Sequence, residues 1–275
     1  MSKLEFTKMH GAGNDFIMVD ARRKKIKNPG QLAKKLCQRH YGIGADGLVL
    51  VLPSKKADYR MRIMNSDGSE AEMCGNGIRC FAKFIKEKRI SKKEKLTVET
   101  LAGIIKPELV GNQVRVDMGE PRLSKKEIPM IGNSEPAINE ELEVNGGSVH
   151  LTAVSMGNPH AIVFVKELDT YPFEKIGREI EKSSEFPNKT NAEFVEVKNE
   201  KEIEIKVWER GVGPTLACGT GACASVVAAS LNGKTGRMVK VNLPGGKLIV
   251  EWSQEDNHVY MTGPAETVFE GTVNI

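Results

Sequence analysis

Apolar and polar positions change period several times along this chain, and each change marks an element. Phe16 to Ala21 is a short apolar run behind a Gly13-Asn14 turn, which predicts a strand. Asn28-Pro29 then offers a cap and first turn for a helix that runs from Gln31 to His40 through Leu32, Ala33 and Leu36. Two alternating segments, Leu48 to Leu52 and Tyr59 to Asn65, predict further strands. Ile78, Phe81, Ala82 and Ile85 next fall at i, i+3, i+4 and i+7, while Lys83, Lys86, Glu87 and Lys88 face elsewhere, the pattern of a half-buried helix. Short strands at Leu96 to Thr100 and Gln113 to Met118 close the series.

The same succession returns downstream. Gly157-Asn158 precedes a strand at Ala161 to Val165, a helix follows over Phe173 to Ser183, and strands follow at Ala192 to Val197 and Glu202 to Trp208. The next helix, Ala222 to Leu231, is apolar or small nearly all round, which predicts complete burial. Lys247 to Trp252 and His258 to Thr262 read as closing strands. Turn signals are frequent and strands dominate, so a mostly antiparallel sheet is favoured over a parallel βαβ array.

The repetition has one spacing. Cys74-Gly75-Asn76-Gly77 and Cys218-Gly219-Thr220-Gly221 are offset by 218 − 74 = 144 residues, and Gly13-Asn14 with Gly157-Asn158 and Gly119 with Gly263 share that offset. The chain therefore reads as an α+β domain used twice: residues 1–119 with 264–275, and residues 120–263. In each copy a curved sheet around the helix after the cysteine fits the patterns.

Composition narrows the class. The chain has 275 residues, 28% charged, with a formal net charge of +4, and its mean hydropathy is −0.33. Lysine pairs are scattered and Tyr and Trp are few, so a nucleic-acid face is not expected. No apolar run approaches the roughly 20 residues of a membrane span, and the first residues carry no apolar secretory core. A cytoplasmic protein is expected. Five cysteines without framework spacing argue against structural disulfides. The intervals from Cys74 to Cys80 and from Cys218 to Cys223 exceed a zinc half-site, so no metal is expected. Gly42-Ile43-Gly44-Ala45-Asp46-Gly47 matches a dinucleotide fingerprint in letters, but a helix precedes it and a strand follows, the reverse of the required order.

Cys37, Cys80 and Cys223 read as small core residues. Cys74 and Cys218 differ from them. Each opens a helix, where free N–H groups and the macrodipole favour thiolate, and each precedes glycines that let a ligand approach the backbone. Two such thiols in one chain suggest a matched acid and base. Asn14 and Asn158 lie at equivalent strand mouths, with His160 beside the second. Asn65 and the pair Glu209-Arg210 end the equivalent strands ahead of the cysteine loops.

These residues resemble the diaminopimelate epimerase family over almost the whole chain. The likeness runs through Lys8-Met9-His10-Gly11, Gly13-Asn14-Asp15-Phe16, Arg39-His40, Asn65, Asp67-Gly68-Ser69-Glu70, both cysteine loops, Met156-Gly157-Asn158-Pro159-His160, Asn191-Ala192, Glu209-Arg210-Gly211 and Leu243-Pro244-Gly245-Gly246. It implies two barrel-like domains around central helices, an active site in the cleft between them, and a homodimer. It also implies an isomerase that inverts one centre of diaminopimelate without a cofactor, in lysine and peptidoglycan precursor synthesis. Carried over, Cys74 and Cys218 are the acid/base pair. Gly75, Asn76, Gly219 and Thr220 bind the reacting centre. Asn14, Asn65, Asn158, Asn191, Glu209 and Arg210 hold the rest of the substrate, and His160 and Glu209 tune the thiols. Two positions depart: Gly47 stands where many members have Gln, and Phe269 where a Tyr is often found. A proline racemase or hydroxyproline epimerase is the alternative. Asn65, Asn191, Glu209 and Arg210 count against it, because they offer a second amino-acid head that proline lacks.

Overall fold

The computed structural model describes residues 3–132 and 135–275. Met1, Ser2, Asn133 and Ser134, which the sequence reading assigns to its two domains, lie outside the described residues. The chain divides into two compact units, Met1–Asp117 with Gly263–Ile275, and Met118–Thr262.

The first unit contains β1 (Lys3–Gly11), β2 (Asn14–Asp20), α1 (Pro29–Leu36), β3 (Gly47–Leu52), β4 (Tyr59–Asn65), β5 (Glu70–Ala71), α2 (Gly75–Glu87), β6 (Val98–Thr100), β7 (Gly103–Ile105), β8 (Pro107–Val110) and β9 (Gln113–Asp117). The second contains β10 (Glu140–Val144), β11 (Gly147–Ser155), β12 (Pro159–Val165), α3 (Phe173–Glu181), β13 (Asn191–Asn199), β14 (Glu202–Glu209), β15 (Gly213–Thr215), α4 (Gly219–Leu231), β16 (Met238–Leu243), β17 (Gly246–Trp252) and β18 (Val259–Pro264). The last strand, β19 (Glu266–Asn274), returns to the first unit and pairs antiparallel with β1.

Strand order in the first unit is β19-β1-β2-β3-β4-β6-β7, with β5 on β4; in the second it runs β10-β11-β12-β13-β14-β16-β17-β18, with β15 on β14. Most pairs are antiparallel. The parallel ones are β2 with β3 and β4 with β6, and likewise β12 with β13 and β14 with β16. Each parallel pair is bridged by one helix, since a parallel neighbour can be reached only by a crossover. The offset of 144 carries through: β1 and β11, β3 and β13, and α2 and α4 all start at that spacing.

Packing explains the hydropathy of the central elements. β3 lies between β2 and β4 and contacts both α1 and α2, so both of its faces are covered. Gly-Leu-Val-Leu-Val-Leu is accordingly continuous instead of alternating. β13 is covered in the same way by α3 and α4. α4 packs against β11, β12, β13, β16 and β17, which leaves its middle turns no solvent face and accounts for its uniformly apolar sequence. α2 meets β1, β2, β3, β4, β8 and β9, and Ile78, Phe81, Ala82 and Ile85 are fully buried as their spacing predicts.

Two helix ends and one cap differ notably from expectation. α1 ends at Leu36 and not at His40, because Ile43 and Gly44 fold back and donate their N–H groups to the Leu36 carbonyl. Gly42 sits so close to the Lys35 and Leu36 carbonyls that a Cβ would lie 2.5 Å from each, which is why this Gly-rich segment is a tight return loop into β3. Asn28 precedes α1, but its side chain makes no capping bond. α3 stops at Glu181, two residues short of Ser183. No helix of the described residues is long and apolar enough to cross a membrane.

Candidate active site

Both singled-out cysteines occupy the N-cap of a helix. Cys74 precedes α2 with φ −143° and ψ 122°, and Cys218 precedes α4 with φ −118° and ψ 114°. At Cys218 the side chain turns back onto the first helical turn, where N–H groups lack intrahelical partners, whereas the Cys74 side chain makes no capping bond to its helix.

In the first unit, Cys74 Sγ is 3.6 Å from Asn14 Oδ1 and donates to it. Asn76 Nδ2 donates to the same oxygen at 3.2 Å. Asn14 is held from its other end, where Nδ2 donates to Asp46 Oδ2 at 2.7 Å. Asp46 is gripped by Arg39 at 2.8 Å, and Arg39 also reaches Asp15. Lys8, nearly buried, lies 2.6 Å from Asp15 and donates to the Gly44 carbonyl. Burial alone would raise the Asp15 carboxyl, but Lys8 and Arg39 outweigh it and hold the group below its ordinary value. A row of fixed charges thus orients one amide oxygen at the Cys74 thiol.

Arg79 supports the turn from beneath. It is fully buried, and its guanidinium donates to Gly75 O at 3.0 Å, Asn76 Oδ1 at 2.8 Å and Pro264 O at 3.2 Å. Gly11 permits the approach, since a Cβ there would lie 3.2 Å from both Asn76 O and the Arg79 guanidinium. Asn65 ends β4 but its side chain donates to Ser69 Oγ at 2.9 Å. Its β3 neighbour is Gly47, and a Cβ at Gly47 would meet the Met64 carbonyl at 3.0 Å and the Phe16 ring at 3.4 Å. The Phe16 ring therefore packs where a longer side chain at position 47 would start.

In the second unit the contacts at sulfur run the other way. Gly221 N–H donates to Cys218 Sγ at 3.3 Å, and Thr220 Oγ1 lies 3.4 Å from the same sulfur. Asn158 Nδ2 donates to Thr220 Oγ1 at 3.3 Å. His160 Nε2 is 3.1 Å from Asn158 Oδ1, and His160 Nδ1 is 2.7 Å from Glu193 Oε1. Burial pushes the Cys218 thiol well up, and the Glu209 and Glu193 carboxylates push it further, against the pull of Thr220 and the Gly221 N–H.

Asn191 and Arg210 form a second group: Asn191 Nδ2 donates to Pro159 O at 2.8 Å, and Asn191 Oδ1 accepts from the Arg210 N–H at 2.9 Å. Glu209 accepts from Thr215 Oγ1 at 2.6 Å. Glu181 anchors the loop beyond, accepting from Trp208 Nε1 at 2.7 Å and Gly211 N–H at 2.9 Å. Burial raises its carboxyl, but Trp208, Gly211 and Lys189 together leave it lowered.

Two other cysteines are held as thiols: burial pushes Cys37 up to about 11 and Cys80 up to about 12, inert near neutrality. Among the described residues no group of three or more His, Cys, Asp or Glu side chains is placed to hold a metal ion. Sequence reasoning gave no site role to Glu193, Arg79 or Glu181, nor to the group of Lys8, Asp15, Arg39 and Asp46. Glu193 left a signal, a carboxylate inside the apolar run Asn191-Ala192-Glu193-Phe194-Val195.

The family model for diaminopimelate epimerase matches residues 6–124 and 152–268, most of both units. The chain belongs to the diaminopimelate epimerase family. It is 55% identical to the diaminopimelate epimerase of Desulfitobacterium hafniense over 278 residues, 98% of each chain. It is 52% identical to that of Methanococcus maripaludis strain C5 over 277 residues, 99% of this chain and all of the relative. Among solved structures, a phenazine biosynthesis protein of the PhzF family from Bacillus anthracis superposes with a TM-score of 0.73 at 20% identity, each chain fully covered. A hydroxyproline epimerase from Agrobacterium vitis superposes with a TM-score of 0.70 at 15% identity, over 98% of this chain and 92% of that one. Those two likenesses bear on the fold: a duplicated α+β architecture that the epimerase family shares with them.

Proposed function

We propose that this chain interconverts LL- and meso-2,6-diaminopimelate, with Cys74 and Cys218 as paired acid and base, in lysine and peptidoglycan precursor synthesis in the cytoplasm. The observation that carries the reading is the contrast between the two capping cysteines: Cys74 donates its S–H to Asn14, whereas Cys218 accepts from the Gly221 N–H. One sulfur is placed to donate a hydrogen bond and the other to accept one. Identity above 50% to diaminopimelate epimerases, against 15% to the hydroxyproline epimerase, supports this substrate over the proline alternative.

Inverting an α-carbon requires a base on one face and an acid on the other, because a single group cannot reach round the substrate. Burial and the Glu209 carboxylate make a thiolate at Cys218 hard to form, and by the same token strongly basic once formed. Charge that develops at the carbon would be met by N–H groups of Gly75, Asn76, Gly219 and Thr220 at the two helix starts. One preorganised donor of this kind is worth about 3 kcal/mol. Asn14, Asn65, Asn158, Asn191, Glu209 and Arg210 would hold the two amino-acid heads, with His160 and Glu209 adjusting the thiols. The reaction as written uses no cofactor.

In the same reading the two units are two epimerase domains, 1–119 with 264–275 and 120–263, and the working form is a homodimer. Val268 and Phe269, exposed on β19, offer an apolar edge for the second copy. Light scattering coupled to size exclusion tests that point.

The decisive experiment is an epimerisation assay on LL-diaminopimelate, with proline as control and Cys74→Ala and Cys218→Ala in parallel. Turnover of diaminopimelate alone, lost in both variants, is the expected result. In heavy water, early product should carry solvent deuterium while residual substrate stays protiated. Return of the substrate's own proton to product, or full activity in either variant, would rule the two-base scheme out.

A further inference from the structure

Glu193 is a carboxylate with no exposed surface, set on β13 between the buried residues Ala192 and Phe194. Its Oε1 lies 2.7 Å from His160 Nδ1, while Oε2 has no hydrogen-bond partner among the described residues. His160, equally buried, leads through Asn158 and Thr220 to Cys218, by contacts of 3.1, 3.3 and 3.4 Å. Gly221 makes the arrangement possible: a Cβ there would lie 2.5 Å from Glu193 Oε1.

The donor capacity of each atom sets the next. Asn158 Oδ1 can only accept, so His160 Nε2 carries a proton. Asn158 Nδ2 can only donate, so Thr220 Oγ1 accepts there and its own hydrogen is left for Cys218 Sγ. At the far end, an imidazole already protonated on Nε2 meets Glu193 through a contact that needs a single proton between Nδ1 and Oε1. Whichever atom formally owns it, the pair is neutral overall. Neutrality also accounts for Oε2, since a lone ionised carboxylate buried without a partner is strongly disfavoured.

We propose that Glu193 is a positioning residue for Cys218: by sharing a proton with His160 it holds the Nε2–H tautomer, which turns the Thr220 hydroxyl toward the Cys218 sulfur as a donor to the thiolate. This rests on the reading of Cys218 as one of the two acid/base thiols. The opposite sense would place an ionised Glu193 against His160 Nδ1–H, turn the Asn158 amide end for end, and make Thr220 accept from the Cys218 thiol. That sense leaves a net negative charge in the core and works against the thiolate. Charged groups that act on Cys218 include Glu209 from β14 and Glu193 from β13, with His160 of β12 bonded to Glu193. The shared proton cancels the charge of Glu193 and leaves Glu209 as the carboxylate that opposes charge on the sulfur.

Two measurements test this, and neither uses substrate, so a negative epimerase assay leaves both standing. In wild-type protein labelled with 15N-histidine, His160 Nε2 should resonate as a protonated, hydrogen-bonded nitrogen through the neutral pH range; an unprotonated Nε2 overturns the proposal. Iodoacetamide alkylation of Cys218 and Cys74, followed peptide by peptide, is then compared across variants. Glu193→Leu frees His160 to take either tautomer and should slow Cys218 about tenfold near neutrality, the worth of one donor to a charged sulfur, with Cys74 unchanged. Thr220→Val should slow Cys218 likewise, and adding Glu193→Leu to it should change nothing more. Faster alkylation in Glu193→Leu, the result if an ionised carboxylate were opposing the thiolate, overturns the assignment. So does an unchanged rate, or equal slowing at both cysteines.

Discussion

Alanine at Gly221 sets two opposing effects against each other, and the structure decides the sign. Replacing glycine by alanine inside a helix is ordinarily favourable by about 1 kcal/mol. Here the new methyl would stand 2.5 Å from Glu193 Oε1 and 3.1 Å from its Cδ. The carboxyl cannot swing away freely, because it is wholly buried and bonded to His160 at 2.7 Å. Overpacking of this kind costs about 1–3 kcal/mol, and displacing the carboxyl forfeits a charge-assisted bond of about 1.5–3 kcal/mol. Set against the propensity gain, the net loss is about 1.5–5 kcal/mol. For a protein of this size that corresponds to a fall in Tm on the order of 3–20 °C. Calorimetry on Gly221→Ala reads it directly, and in a Glu193→Ala background the same alanine should be neutral or stabilising. A Gly221→Ala protein as stable as the wild type would refute the placement of Glu193 under the first turn of α4.

Arg79→Met should cost about 3–5 kcal/mol in urea denaturation, because it strands two buried acceptors, Gly75 O and Asn76 Oδ1, and a partly buried one, Pro264 O; a loss under about 1 kcal/mol would mean that they find other partners. Glu181 carries a lowered carboxyl, so the stability it contributes is fully present above its ordinary value of 4.5 and is lost as pH falls through the lower folded value. The urea midpoint of wild type should therefore exceed that of Glu181→Gln near neutrality, with the gap closing as pH drops below 4.5; a gap independent of pH would contradict this. Gly47→Gln should fold with a modest loss of stability, since β4 must yield a few tenths of an ångström at the Met64 carbonyl. A crystal structure of that variant with the Phe16 ring undisturbed and β4 unmoved would count against the packing described.

Much of the architecture is legible in one dimension because duplication supplies an internal control. Tyr59 to Asn65, Leu48 to Leu52 and both post-cysteine helices lie where period and turn signals place them. β10 and β11 were also readable, since Asn145-Gly146 stands between Val144 and Gly147, which pair across a two-residue turn. The pairing of β19 was not readable from its own residues, although the sequence reading assigns residues 264–275 to the first domain. Its side chains are mostly exposed, and its partner β1 lies at the opposite end of the sequence with no turn to link them. The site divides in the same way. Cys74, Cys218, Asn14 and Asn158 stand out through repetition. Glu193 and Arg79 acquire meaning only from burial on a strand or helix covered from several sides, and that covering comes from elements distant in the chain.

The pairing of β19 with β1 makes the first unit discontinuous along the polypeptide. On the ribosome, the whole of Met118–Thr262 is synthesised before the residues that finish the sheet of the earlier unit. The later-made unit can therefore complete its fold first, while β1 waits with Phe6 short of its ring contact to Phe269 and one strand edge open to other chains. Truncation or stalling before Gly263 should yield a species that aggregates through that edge instead of half a working enzyme.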